Sequence, residues 1–310
     1  MGMLINGQWQ KDENGTISKD GKFKREASAF KHTIGQTGKF TAEKNRYHLY
    51  ISYACPWAHR ALIARKLKKL EDIISVSITE PLLLENGWEF GQKGDPLYHK
   101  SFLYQIYTIA QPDYTGRVTV PVLWDKKHKT IVNNESADIL RIFNSAFNHI
   151  THSTLDLYPE DKRDAIDNIN EKIYHNVNNG VYKAGFATTQ SAYDEAVTNL
   201  FNTLDELEKH LSDSKYLVGE SPTEADWRLF TTLVRFDPVY HGHFKCNIRL
   251  LALYPNLYNY LKALYQIPGI AETVNFSHIK KGYYGSHKKL NPTGIIPKGP
   301  IIDLDSPYHR

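Results

Sequence analysis

The residues best placed to do chemistry lie in the run Tyr53-Ala54-Cys55-Pro56-Trp57-Ala58-His59-Arg60. The preceding His48-Leu49-Tyr50-Ile51-Ser52 has the aromatic and β-branched content of a short strand. Pro56 cannot continue a strand but suits the first turn of a helix, which puts Cys55 at or near an N-cap. From Trp57 to Leu70 the chain is rich in Ala, Leu, Arg and Lys, with Ile63, Leu67 and Leu70 on one face. A cysteine at a helix N-terminus meets unpaired N–H groups and the positive end of the dipole. Such settings favour thiolate and lower a thiol pKa from about 8.5 towards ~3.5–7.5. Cys55 is therefore a candidate nucleophile, and the competing reading is a buried structural thiol.

A Cys-x-x-Cys redox pair would need its second cysteine at position 58, where Ala58 stands. A mixed disulfide on Cys55 then has no resolving partner inside the motif, and an outside thiol must release it. Glutathione is the abundant cytosolic candidate. The chain has 2 cysteines. Cys246, in Phe244-Lys245-Cys246-Asn247, reads as structural, and no disulfide framework is expected. This usage suits a reducing cytoplasm, the expected location.

The elements that must position Cys55 are legible around it. Residues 1–44 read as an N-terminal arm, with turn dipeptides Asn6-Gly7 and Asn14-Gly15 flanking a short Gln8–Glu13 segment as a small hairpin or ordered loop. Residues 45–150 read as one α/β domain: strand 47–52, helix 57–70 and strand 73–78 make a βαβ start. A long connection follows over 79–116, with Trp88, an aromatic-rich helix near 101–110 and a Pro112-Asp113 turn; connections this long are often functional. Strand Val118–Trp124, a charged turn at Asp125–Lys129 and strand Thr130–Val132 form a hairpin. Asn133-Asn134-Glu135-Ser136 then opens a helix, Ala137–Phe147. The order βαβ then ββα is the thioredoxin-like pattern. In it Val120-Pro121 stands opposite the cysteine-bearing helix terminus, either as a cis peptide presenting Val120 to a ligand backbone or as a plain edge-strand proline.

From about residue 155 to 280 the chain reads as an all-helical domain. Tyr193, Val197, Leu200, Leu204, Leu207 and Leu211 form one apolar stripe, and Thr223-Glu224-Ala225-Asp226 opens a helix with Asp226 placed as a capping-box acid. Residues 281–310 turn to Gly, Pro, Lys and Tyr and read as an extended C-terminal tail.

Composition narrows the classes. With 310 residues, 41% hydrophobic and 23% charged, the chain is a soluble globular protein with room for two domains. A net charge of +4, scattered along the chain, does not argue for nucleic acid. The first ten residues are too polar for a signal peptide, and no apolar run approaches the ~20 residues of a membrane span. His241-Gly242-His243 and the other histidines make no convincing ligand set, so no metal is expected.

A thioredoxin-like unit followed by an all-α unit, with one nucleophilic cysteine, resembles a glutathione transferase. Tyr53 through Arg60 resembles the motif of the xi class, the glutathionyl-hydroquinone reductases. So do Gly180-Val181-Tyr182-Lys183-Ala184-Gly185-Phe186-Ala187, Arg235-Phe236-Asp237-Pro238-Val239-Tyr240, and His278-Ile279-Lys280 through Asn291-Pro292. One position departs from the pattern: Gly282, where a histidine is expected before Tyr283-Tyr284.

The resemblance implies that Cys55 is the nucleophile and that glutathione, as co-substrate, lies between it and the Val120-Pro121 turn. It implies Trp88, Arg117, Val120, Glu135 and Ser136 as glutathione contacts, and the chemistry of these residue types agrees. Val120 can pair with the extended peptide like an added strand. Glu135 suits the γ-glutamyl ammonium, Ser136 and the adjoining helix N–H groups its carboxylate, and Arg117 is a carboxylate fork by type. By residue type alone Trp88 reads more readily as a core aromatic and Glu135 as no more than a favourable charge at a helix start. The family pattern also singles out Tyr182 as proton donor, with Tyr240 and Tyr283 near the cysteine sulfur. The implied reaction is reductive cleavage of a glutathionylated hydroquinone by a homodimer. Two alternatives stand beside it: a general cysteine-type thioltransferase or dehydroascorbate reductase, and a transferase-like domain retained for binding.

Overall fold

The computed structural model describes residues 2–11 and 16–309. The chain divides into two compact units. One comprises Met1–Asn14, Glu26–Leu155 and Asn275–Gly282; the other comprises Gly15–Arg25, Asp156–Val274 and Tyr283–Arg310.

In the first unit, strands β1 (Gly2–Ile5) and β2 (Gln8–Lys11) form an antiparallel hairpin. Asn6 and Gly7 turn it with φ of 48° and 75°, the left-handed pair that a two-residue hairpin turn requires. The Asn14-Gly15 turn expected from the sequence lies outside the described residues. Next come β3 (Tyr47–Ile51), α1 (Pro56–Leu67), β4 (Ser75–Ile78), β5 (Leu83–Leu84), β6 (Gly87–Trp88), α2 (Leu103–Ala110), β7 (Gly116–Arg117), β8 (Val122–Asp125), β9 (Thr130–Asn133), α3 (Ser136–Ser145) and the single turn α4 (Asn148–Thr151). The central sheet has the order β4-β3-β8-β9, with β3 parallel to β4 and antiparallel to β8. Every residue of β3 is buried, as a strand covered on both faces must be. Helices α1 and α3 pack against each other. This is the thioredoxin-like βαβ–ββα arrangement.

Two local differences from the sequence expectation share a cause. The strand expected over 118–124 begins at Val122, because Pro121 has no N–H to give to a ladder and the Val120–Pro121 peptide is cis. Gly116 and Arg117 pair instead with β1, making a second sheet in the order β2-β1-β7.

The second unit is helical: α5 (Arg163–Ile173), a π-helical turn Tyr174–Asn178, α6 (Gly180–Gly185), α7 (Gln190–Asp213), α8 (Glu224–Leu233), a second π-helical turn Phe236–Tyr240, α9 (His241–His243) and α10 (Pro255–Tyr265). On α7, Val197, Leu200, Leu204, Leu207 and Leu211 are buried as the stripe requires. Tyr193 is half-buried and donates its hydroxyl to the Lys245 carbonyl at 2.7 Å. The capping box at Thr223 forms, and Asp226 does more than cap. Fully buried, it also accepts from the Leu217 N–H at 3.0 Å and the Tyr260 hydroxyl at 2.8 Å.

Helix α11 (Phe276–Ser286) belongs to the first unit through Gly282 and to the second from Tyr283. Beyond it residues 287–309 have no regular helix or strand. Asp303–Ser306 is tied to α10 by hydrogen bonds from the Tyr258 hydroxyl to the Asp303 carbonyl (3.0 Å) and from Gln266 to the Leu304 carbonyl (2.7 Å). No helix of the described residues is long and apolar enough to cross a membrane.

Candidate active site

In the first unit β3 ends at Ile51, and the Cys55 N–H closes a turn onto the Ser52 carbonyl at 3.1 Å. Cys55 is the N-cap of α1 with Pro56 at the first helical position. Its sulfur accepts the Ala58 N–H at 3.4 Å, and its thiol donates to the Val120 carbonyl at 3.6 Å. The residue that replaces a resolving cysteine thus serves Cys55 through its backbone amide. Helix start and cis-proline turn meet at the sulfur.

Glu135 is the N-cap of α3. Its carboxylate accepts the Ala137 N–H at 3.2 Å and the Ser28 hydroxyl at 2.9 Å. Glu135 thus stands at the helix start as its N-cap, with a partly exposed carboxylate. The buried Ser136 hydroxyl donates to Glu135 at 3.4 Å and accepts from Arg60 at 3.5 Å. Arg60 is itself buried, its guanidinium 4.6 Å from the Trp57 ring centre. Trp88, partly exposed, stands in the β5–β6 hairpin opposite Leu83. Trp9 secures that hairpin by donating to the Glu85 carbonyl at 3.0 Å while stacking on Tyr104. Arg117 lies on β7, with Glu26 3.9 Å away. Cys55 and Val120 therefore touch, and Glu135 and Ser136 touch, while Trp88 and Arg117 are carried by separate elements.

In the second unit the three tyrosines converge. The Tyr182 and Tyr283 hydroxyls are 2.6 Å apart, and those of Tyr240 and Tyr283 are 3.0 Å apart. Tyr240 and Tyr283 are buried, and burial first, then Tyr182, holds both phenols well above their ordinary range. Tyr182 alone of the three keeps a partly exposed surface. Phe23 stacks on its ring and the Arg25 guanidinium lies 5.0 Å from the ring centre. Each π-helical turn adjoins this cluster: one precedes the helix of Tyr182, the other ends at Tyr240. Behind it His243 and His287 hydrogen-bond at 3.1 Å, and burial lowers their pKa values to about 4 and about 3, so both rings are neutral at pH 7.

Gly282 explains itself in the first unit. A Cβ at this position would lie 2.5 Å from the Ala54 Cβ and 2.9 Å from the Pro81 carbonyl oxygen. One turn earlier His278 sets its ring edge-on to Tyr53, centroids 5.6 Å apart. The glycine lets α11 lie directly on the residues that lead into Cys55. An alanine in a helix interior ordinarily stabilises by ~0.5–1 kcal/mol. Here the clash with backbone outweighs that gain, since overpacking costs about 1–3 kcal/mol. Gly282→Ala is expected to lower the denaturant midpoint and to change the alkylation rate of Cys55; an unchanged or raised midpoint would show that α11 has slack at this point.

The two thiols should be separable chemically. Cys246 is 0% exposed, and burial pushes its thiol far up, whereas Cys55 is partly exposed. Iodoacetamide at neutral pH is expected to label the native protein once, at Cys55, and a second time after denaturation. Peptide mass spectrometry reads this directly, and native labelling of Cys246 would contradict it.

Sequence reasoning did not single out Ser28 and Arg60, which donate to Glu135 and Ser136, nor Tyr107, which donates to the Thr119 carbonyl and accepts from Asn134. Arg60 offered a faint signal, lying in the same helix just after Cys55; a single tyrosine among 20 offers none.

The fold and this site define a glutathione transferase of the cysteine type. Residues 54–146 match the glutathione S-transferase N-terminal domain model and residues 190–263 the C-terminal domain model. The glutathionyl-hydroquinone reductase YqjG of Escherichia coli K12 is 57% identical over 100% of this chain and 98% of its own length. PcpF of Sphingobium chlorophenolicum, also a glutathionyl-hydroquinone reductase, is 52% identical over 98% of each chain. The glutathione-bound structure of YqjG superposes with a TM-score of 0.92 at 54% identity, covering 100% of this chain and 99% of that one. The chain belongs to the xi class of glutathione transferases, the glutathionyl-hydroquinone reductase family.

Proposed function

We propose that the protein reduces glutathionyl-hydroquinones to hydroquinones at the expense of glutathione. Cys55 attacks the thioether sulfur of the substrate in its keto tautomer. The new bond joins the Cys55 and glutathione sulfurs; the sulfur–ring carbon bond breaks with its electron pair moving to the ring. That carbon carries the proton Tyr182 gave it in forming the keto tautomer, and the released enolate takes a proton on oxygen and leaves as hydroquinone. A second glutathione attacks the mixed disulfide, releasing oxidised glutathione and returning Cys55 to thiolate. The ring gains two electrons and two sulfurs are oxidised to one disulfide, so the cycle balances with no metal.

The observation that carries this reading is the Cys55 sulfur held between the Ala58 N–H and the Val120 carbonyl, with no cysteine at position 58. The Val120 backbone suits the cysteinyl part of glutathione, Glu135 and Ser136 its γ-glutamyl end, and Trp88 and Arg117 the rest of the peptide. The phenol cluster favours aryl cleavage over simple disulfide exchange, which needs no proton for carbon. A cytoplasmic location, where reduced glutathione is plentiful, and a homodimer belong to the same proposal; light scattering on the purified chain tests the latter.

The test is incubation with a glutathionyl-hydroquinone and glutathione. One hydroquinone and one oxidised glutathione are expected per turnover. Disulfide exchange without hydroquinone release would make the protein a general thioltransferase, and neither activity would leave a binding domain.

A further inference from the structure

Tyr107, on α2, is buried completely, and its hydroxyl has three close partners, with the Thr119 hydroxyl a longer contact at 3.4 Å. It donates to the Thr119 carbonyl at 2.9 Å and accepts the Thr119 N–H at 3.2 Å and the Asn134 side-chain amide at 3.1 Å. A phenol has one proton and two lone pairs, so its capacity is used in full. Burial raises its pKa, which keeps the donated proton in place.

The partners matter by position. Thr119 precedes Val120, and Asn134 precedes Glu135-Ser136. The Thr119 carbonyl and the Val120 N–H belong to one planar trans peptide and point in opposite directions. Fixing that carbonyl on the Tyr107 side aims the Val120 N–H the other way. Asn134 is gripped on its other atoms too. Its side-chain oxygen accepts the Phe30 N–H at 3.0 Å, its own N–H donates to the Phe30 carbonyl at 3.1 Å, and its carbonyl accepts the Ser28 hydroxyl at 3.3 Å. One oxygen thus ties the approach to the cis-proline turn to the approach to α3.

We propose that Tyr107 is a positioning residue for glutathione, setting the spacing between the Val120 backbone and the Glu135-Ser136 helix start so that one tripeptide spans both. The proposal rests on the reading of those two segments as the glutathione platform. It concerns binding rather than bond cleavage, so it can be tested apart from the quinone reaction.

Tyr107→Phe keeps the ring and removes the shared oxygen. Equilibrium binding of glutathione, read by calorimetry in a Cys55→Ser background that forms no mixed disulfide, is expected to weaken about tenfold, the equivalent of one net buried hydrogen bond. In the chain with Cys55 present, the KM for glutathione should rise similarly while kcat at saturating glutathione and the rate of Cys55 alkylation by iodoacetamide stay near those of the intact protein. Tyr47→Phe is the control, because its buried hydroxyl donates to the Thr41 carbonyl at 2.7 Å, well removed in the chain from both segments. It should lower thermal stability without weakening glutathione binding. Undiminished glutathione binding by Tyr107→Phe would overturn the proposal, as would equal weakening by Tyr47→Phe, which would reduce the effect to general loosening. Glutathione binding without hydroquinone release in the intact protein would reject the proposed reaction and leave this inference standing.

Discussion

Cys55→Ser should release hydroquinone at least ~10³-fold more slowly than the intact protein, because it removes the proposed nucleophile and not its setting. Serine is among the best N-cap residues, and its oxygen can accept the Ala58 N–H that the sulfur accepts at 3.4 Å. Helix α1 and the fold should therefore persist. What disappears is chemical: a hydroxyl does not ionise at a helix N-terminus near neutral pH, and it cannot form the sulfur–sulfur bond that the cycle requires. Mass spectrometry of a single turnover is expected to show one glutathionyl adduct on the intact chain and none on the variant. A variant that kept more than a tenth of the rate would move the nucleophile away from Cys55.

Tyr182→Phe should separate two activities that share Cys55. Aryl-thioether cleavage is expected to fall by about 10²–10⁴-fold, the range of a lost general acid. Disulfide exchange, which breaks a sulfur–sulfur bond and needs no proton on carbon, should be unaffected. We propose Tyr182 for this role over its neighbours because it alone of the three keeps a partly exposed surface. Tyr240 and Tyr283 are buried, and their raised pKa values keep them protonated well into the alkaline range. In the proposed reaction they would act as donors in reserve: as Tyr182 gives up its proton, the Tyr283 hydroxyl at 2.6 Å would steady the phenolate, backed by Tyr240 at 3.0 Å from Tyr283. Parallel rate measurements with a glutathionyl-hydroquinone and a mixed disulfide decide the matter, and equal loss of both activities would show that Tyr182 supports the fold or the thiol instead.

The Cys55 corner is legible in the sequence because each of its rules is local. Residues 48–51 are aromatic or aliphatic apart from His48, Pro56 can only open the helix, and an N-cap cysteine meets free amides wherever the chain goes next. The α7 stripe and the Thr223–Asp226 box are legible for the same reason, since each is a pattern within a few turns of one helix. Strand edges near Pro121 are not, because two short strands on either side of a proline read as one. Nothing in residues 116–117 announces that their partner is Met3-Leu4 at the other end of the domain.

By itself the sequence determined the thioredoxin-like order, the candidate nucleophile, the absence of a resolving cysteine at position 58 and, through its resemblance, the family. These depend on neighbours in the chain, where residue type and spacing act directly. Tertiary structure alone decided what depends on distant neighbours. It brought together tyrosine hydroxyls 101 and 43 residues apart, because only the packing of α6, the second π-helical turn and α11 sets their separation. It showed that Gly282 is the size its place permits, because the limit is set by Ala54 and Pro81. It also picked Tyr107 from 20 tyrosines, because a phenol's worth lies in the partners that folding delivers to one oxygen.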